Sequence, residues 1–148
     1  MAVEVLDLKI IAIGKVKDPC LRTKVEDYKK RIMHDSRIEI IELKDQGICT
    51  ESEKIKKLLN KDKSFVFVLG EEGREYDSVS FARRIQLIRS KVTFIIGGAY
   101  GLSEEIKKGA DEILSLSKLT FTHEIARMLL MEQIYRVISI IQNRSYHK

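Results

Sequence analysis

Short apolar runs and amphipathic segments take turns along this chain, and few architectures accept that order. Residues 8–14 form an apolar run closing on Gly14, a buried strand by its pattern. Asp18 followed by Pro19 predicts a helix start, and Leu21, Val25, Tyr28 and Ile32 continue it as one apolar stripe. Residues 37–43 alternate charge with isoleucine, as a strand near a sheet edge does. Thr50, Glu51, Ser52 and Glu53 read as a capping box opening a lysine-rich helix over 54–63. Residues 65–69, 92–96 and 113–117 supply three more strands. Ser78 or Ser80 is expected to cap a helix carrying Phe81, Ile85 and Ile88, and Ser103 one that starts at Glu104 and Glu105. A long helix over 123–142 ends the series. Strands this continuously apolar are covered on both faces, so the order predicts an α/β fold with a mostly parallel sheet flanked by helices.

Size and composition narrow the class. The chain has 148 residues, the length of one domain, and no change of composition marks a linker, so residues 1–148 are expected to fold as a single domain. Two cysteines, Cys20 and Cys49, give neither a disulfide framework nor metal-ligand spacing; they are expected to be small, partly buried thiols in a reducing compartment, and no metal is expected. No apolar run has the length of a membrane span, and Glu4 and Asp7 interrupt any signal-peptide pattern, which predicts a soluble, cytoplasmic protein without membrane contact. The net charge of +5 suits a phosphate-rich partner, and equally an ordinary lysine-rich surface.

The last helix is apolar around most of its circumference. Its polar residues Glu132, Arg136, Ser139 and Asn143 gather in one stripe. Such a helix needs cover on two sides. One side is supplied by the sheet; for the other, a second copy of the chain is the expected cover, which predicts a homodimer.

Three segments can carry chemistry. Six of the eight glycines lie between residues 70 and 109, at the ends of the third and fourth strands. Glycine at the carboxyl end of a strand lets a ligand approach backbone, and the segment from Gly97 to Leu102 leads into a helix start. A plain tight turn explains the same residues. The segment from Leu116 to His123 joins the fifth strand to the last helix, where hydroxyls and His123 can bind a ligand or only cap. The tail, Arg144 to Lys148, gathers an aromatic, an imidazole and cations able to hold a base and its phosphate.

Read in order, these segments resemble one family. Leu69, the run from Ile95 through Gly97, Gly98, Tyr100 and Gly101 to Leu102, the run from Leu114 to His123, the stretch Glu132 to Arg136, and terminal Tyr146, His147 and Lys148 together resemble the RlmH family, small SPOUT-class methyltransferases of the bacterial ribosome. The likeness spans nearly the whole chain and is strongest after residue 65. It implies a C-terminal trefoil knot, S-adenosylmethionine as cofactor, and a substrate in ribosomal RNA of the large subunit or assembled ribosome: N3 of a pseudouridine in the helix 69 loop. By position, Leu69, Gly98, Leu116, Ser117, Lys118, Leu119, Thr120 and Phe121 would line the cofactor pocket. His123, Arg136, Tyr146 and His147 would serve the nucleotide and the transfer, and the tail is expected to do so across the dimer. Thr122 stands where the family pattern has proline, the segment after the second strand is short, and a few extra residues precede the first strand.

Such an enzyme needs few groups. Displacement at a sulfonium creates little charge, so positioning carries most of the rate. An imide nitrogen must first lose its proton, which a nearby cation favours and a base accepts. Arg136 fits the first role, and His123, His147 or water the second, while His34 lies far along the chain from the glycine loops. Two other classes answer to the same residues: an RNA- or nucleotide-binding module without catalysis, and a dinucleotide-dependent enzyme. The missing G-x-G-x-x-G argues against the latter.

Overall fold

The computed structural model describes residues 5–148; Glu4 and the extra N-terminal residues before it lie outside them. The elements are β1 (Asp7–Ile13), α1 (Pro19–Met33), β2 (Arg37–Leu43), α2 (Ile48–Leu59), β3 (Ser64–Arg74), α3 (Ser78–Leu87), β4 (Lys91–Ile96), α4 (Glu104–Gly109), β5 (Glu112–Leu114) and α5 (His123–Ile141). The strands form one sheet in the order β2-β1-β4-β3-β5, every pair parallel. The half-charged β2 is at the edge and the apolar β1 and β4 are central, as their patterns predict.

Alternation of side chains divides the core into two layers. Leu8, Ile10, Ala12, Phe67, Phe94 and Ile96 meet α1, α3 and α5 on one face. Ile11, Ile13, Val66, Val68 and Ile95 meet Ile55 of α2 and Ile106 of α4 on the other. Phe94 stacks on Phe67 at 5.3 Å between centroids. Among the described residues no helix is long and apolar enough to cross a membrane.

Asp18 caps α1 as predicted, accepting from Cys20 and Leu21 N–H, and Ser103 caps α4. Other boundaries differ. α2 starts at Ile48, ahead of the expected capping box: Gly47 is the N-cap, and buried Glu51 reaches back to accept from Gln46 and Gly47 N–H. α3 is capped by Asp77, which accepts from Ser80 N–H, rather than by a serine. β3 runs on through the glycines to Arg74, and β5 ends at Leu114. A register shift between Leu69 and Arg74 lets the extension rejoin β5, where Ser115 N–H donates to the Arg74 carbonyl. Asp111 secures this short strand from the other end, accepting from Val66 N–H at 2.7 Å. Cys20 and Cys49 are both exposed rather than partly buried, because each stands on the outer side of a first helical turn.

One ion pair at the amino end of the sheet gives a stability test. Lys9 is 6% exposed, and both its ammonium and that of Lys91 bind Asp62 Oδ2, at 3.1 and 2.8 Å. Hydrogen bonds from Lys91 and then Lys9 hold the Asp62 carboxyl below the usual aspartate range. Asp62→Asn leaves Lys9 buried without its counter-charge. The expected loss is about 2 kcal/mol at neutral pH, less than for a fully enclosed pair because Asp62 is partly open to solvent. A carboxyl lowered on folding stabilises above its unfolded value and stops doing so as pH falls through its folded value. Urea titrations of the two proteins should therefore diverge at neutral pH and converge in strong acid.

Candidate active site

The carboxyl ends of β3, β4 and β5 open into a cavity of about 620 Å³, within the range of small-molecule sites. Leu69, Ile96, Leu114, Leu116 and Ala126 give it an apolar wall, and the Gly97–Gly98 backbone forms one side. The loop from Leu116 to Phe121 closes the other. That loop is braced internally, with Ser115 Oγ donating to the Ser117 carbonyl and Leu119 N–H donating to Ser117 Oγ. The β3 extension borders the mouth: the Thr120 hydroxyl donates to Glu71, and Lys107 binds Glu72 at 3.2 Å. The Glu72 backbone N–H, with Lys107, holds the Glu72 carboxyl below its ordinary value.

Leu69, Gly98, Leu116, Ser117, Leu119, Thr120, Phe121 and His123 all line this cavity. Lys118 does not; its side chain is exposed, outside the lining. The hydroxyl of Thr122 caps α5, accepting from Ile125 N–H, and His123 occupies the first helical position and lines the cavity. Gly98 serves the fold as well. A Cβ there would sit 3.0 Å from Ile13 Cγ2, under the end of β1, rather than in open space. Gly98→Val is thus expected to lower the melting temperature of the ligand-free protein together with ligand binding, a paired loss that scanning calorimetry and a ligand titration would register.

Arg136, Tyr146 and His147 form a separate cluster. The tail turns back at Asn143, which has φ +55°, and Arg144 reaches Asp35. Tyr146 then packs on Tyr135, with centroids 4.7 Å apart, and lies 4.8 Å beneath the Arg136 guanidinium. Both Nε and Nη2 of Arg136 donate to Glu132 Oε1, to which the Tyr146 hydroxyl also donates. Gln133 donates to Oε2 and accepts from Ser78. Glu132 thus accepts four hydrogen bonds, three of them on Oε1. Arg136 Nη1 lies 3.2 Å from His147 Nδ1. A guanidinium only donates, so Nδ1 accepts and the ring carries its proton on Nε2. Burial, then the Tyr28 hydroxyl and Glu132, push the Tyr146 phenol well above its ordinary value, which keeps it a neutral donor. Glu132 likewise raises Arg136 further, holding it cationic.

The cluster meets the cavity across a wall. His147 borders a second cavity, of about 750 Å³, which shares Leu114, Leu116 and Phe121 with the first. Within the chain, Tyr146 and His147 lie against Arg136.

The helix carrying both groups also departs from its expected faces. α5 packs between α1 and α3, so Ile134 and Ile138 belong to the chain's own core, and Ser139 is buried instead of sharing a solvent stripe with Glu132 and Arg136. Arg127, which the pattern did not mark, is 2% exposed and bound to Glu42 of β2. Of the lysines of α2, Lys56 is bridged to Glu53 and Glu105. Among the described residues no group of three or more His, Cys, Asp or Glu is placed to hold a metal ion.

Residues 6–147 match the family model described as "Predicted SPOUT methyltransferase". The chain is 42% identical over 141 residues to the ribosomal RNA large subunit methyltransferase H of Prochlorococcus marinus, covering 95% of this chain and 94% of the relative. It is 39% identical over 153 residues to the protein of the same name from Pseudothermotoga lettingae, covering 96% and 99%. Two solved structures share the fold at low identity. A probable methylase family protein of Haemophilus influenzae aligns with a TM-score of 0.58 at 11% identity, over 97% of this chain and 71% of that one. The SpoU methyltransferase AviRb of Streptomyces viridochromogenes, in complex with AdoMet, aligns with a TM-score of 0.51 at 10% identity, over 99% and 61%.

Proposed function

The chain belongs to the RlmH family of SPOUT methyltransferases, and from that membership we propose that it methylates N3 of a pseudouridine in the helix 69 loop of large-subunit ribosomal RNA, with S-adenosylmethionine as donor. The observation that carries this reading is the cavity at the carboxyl ends of β3, β4 and β5, with His123 in its lining. The residues there suit the donor. Leu69, Leu114, Leu116 and Leu119 offer an apolar surface for a flat ring, the Gly97–Gly98 backbone permits close approach, and Glu71 and Glu72 bring negative charge to the mouth for a cation. The exposed Lys118 is left to the RNA side. The chemistry S-adenosylmethionine supplies when bound is an electrophilic methyl group on a sulfonium.

The chain's own residues do the rest. Arg136 keeps donors free beyond those given to Glu132 and His147, and its charge favours the deprotonated imide of the target base. His147 presents Nε2–H, and Tyr146 fixes the guanidinium from below. His123, or water beside it, is left to take the imide proton. The polar relay from Ser78 through Gln133 to Glu132 holds Arg136 against movement.

A homodimer working in the cytoplasm belongs to the same proposal. On α5, Ile125 is exposed and Leu129, one turn on, is half-buried beside the second cavity; both share a helix face with Gln133 and Arg136. A second copy covering the apolar part leaves the arginine cluster at the seam. The trefoil threading is also part of this reading; in its support, β5 pairs outside β3 and the loop after it folds back over the cavity. A calorimetric titration tests the donor: S-adenosylmethionine should bind in preference to NAD and ATP. Preference for either nucleotide would overturn the reading.

A further inference from the structure

Arg127 is a buried cation for which the proposed reaction has no use. It lies one turn after His123 on the same face of α5 and is 2% exposed. Its Nη1 donates to Glu42, its Nη2 donates to the Gly14 carbonyl at 2.8 Å, and its Nε is buried with no partner among the described residues. An ion pair so placed is a poor stabiliser, since an apolar side chain of similar volume fills such a site at equal or lower free energy. Its geometry has a more specific consequence.

Gly14 ends β1 at φ +89°, with its N–H donating to the Leu43 carbonyl at 2.7 Å. Its open side faces the His123 ring: a Cβ there would lie 3.2 Å from Cε1, 3.7 Å from Nδ1 and 3.8 Å from Nε2. The ring therefore rests on the glycine, and His123 Nδ1 is sealed away with no partner among the described residues. No hydrogen bond to Nδ1 sets the ring's orientation, so packing must set it. The loop after Gly14 is tied to α5 as well, where Glu124 Oε1 accepts from Lys17 and Asp18 N–H at 2.6 and 3.0 Å.

We propose that Arg127 is a positioning residue: by holding the Gly14 carbonyl and Glu42 at once, it fixes the glycine surface that orients the His123 imidazole in the donor cavity. The role assigned to that imidazole rests on the proposed function; the placement of the ring does not. Lysine cannot replace the arginine, because one ammonium on a flexible stem does not span both acceptors in fixed geometry.

The test uses Arg127→Met, matched in volume, and Arg127→Lys, which keeps the charge should the first fail to fold. The chain has three histidines, so the Cε1–H resonances of His34 and His147 serve as internal controls in a proton NMR spectrum. In the folded variants the His123 resonance should move while the other two hold. Binding of S-adenosylmethionine by calorimetry should weaken by about tenfold, since His123 lines that cavity. In a double-mutant cycle with His123→Ala, the Arg127 change should add nothing further. An unmoved His123 resonance in either folded variant would overturn the proposal, as would losses that multiply in the cycle, the mark of a merely structural arginine. If the parent protein binds no S-adenosylmethionine, the functional reading fails, and the resonance still decides the placement.

Discussion

Replacing Arg136 by alanine is expected to lower methyl transfer to ribosomal RNA by about a hundredfold or more, which corresponds to about 2.7 kcal/mol of transition-state stabilisation. The side chain is not a core element, being 25% exposed, and its removal leaves Ile134 and Ile138 packed. It is, however, the hub of its cluster, since Glu132, Tyr146 and His147 all take their places from it. Loss of the guanidinium frees Glu132 to repel an imide anion, so the effect should exceed that of one lost hydrogen bond. The binding of S-adenosylmethionine should stay near the parent value, because the arginine is absent from the lining of the cavity proposed for it. A fall in donor binding of the same size as the fall in rate would contradict this assignment. Cutting the chain after Asn143 is a less clean probe than the sequence implies, since it also removes the Arg144–Asp35 pair and the packing of Tyr146 on Tyr135. Mixing that truncated chain with Arg136→Ala should restore no activity. Tail and arginine touch within one chain, so every site in a mixed dimer keeps one defect; partial recovery would show that the two act from different chains.

If the chain pairs through α5 as proposed, Leu129→Glu is expected to leave it monomeric and to abolish methyl transfer. Leu129 is half-buried on α5 and borders the second cavity, outside the chain's closed core. A carboxylate there stays solvated in a monomer but must lose water in a dimer, at a cost of several kcal/mol. The monomer should unfold close to the parent temperature, which separates this change from Ile134→Glu or Ile138→Glu, both of which bury the charge in the chain's own core. Sedimentation showing a dimer for Leu129→Glu, or a fully active monomer, would contradict the expectation.

The parallel sheet was legible because β1, β3 and β4 are apolar on both faces, a pattern that only a doubly covered strand needs. Caps written in side chains were legible too, as at Asp18 and Ser103. The start of α2 was not, because its signals are a positive-φ glycine and a glutamate reaching backward, and neither follows the serine–glutamate spacing of a capping box. The extension of β3 past Gly70 was hidden for a similar reason: a register shift depends on its partner β5, not on local sequence. Most residues lining the cavity at the carboxyl ends of β3, β4 and β5 fall in segments the sequence already sets apart, because glycine and hydroxyl residues cluster in sequence there. The Arg136 cluster was legible as residues but not as an arrangement, since which chain the tail folds on is a question of three-dimensional packing. Arg127 escaped because an arginine amid apolar residues reads as a break in the stripe. Only its partners, Glu42 and the Gly14 carbonyl, both distant in sequence, explain its burial.

The central claim, methyl transfer to a helix 69 pseudouridine, meets its most direct test in a reconstituted reaction. Purified protein is incubated with methyl-labelled S-adenosylmethionine and ribosomes from a strain lacking the enzyme, and the large-subunit RNA is digested and mapped by mass spectrometry. The account predicts label in one nucleotide only, an N3-methylated pseudouridine in the helix 69 loop. Label at another position, or none in large-subunit RNA while the protein binds the donor, would contradict it.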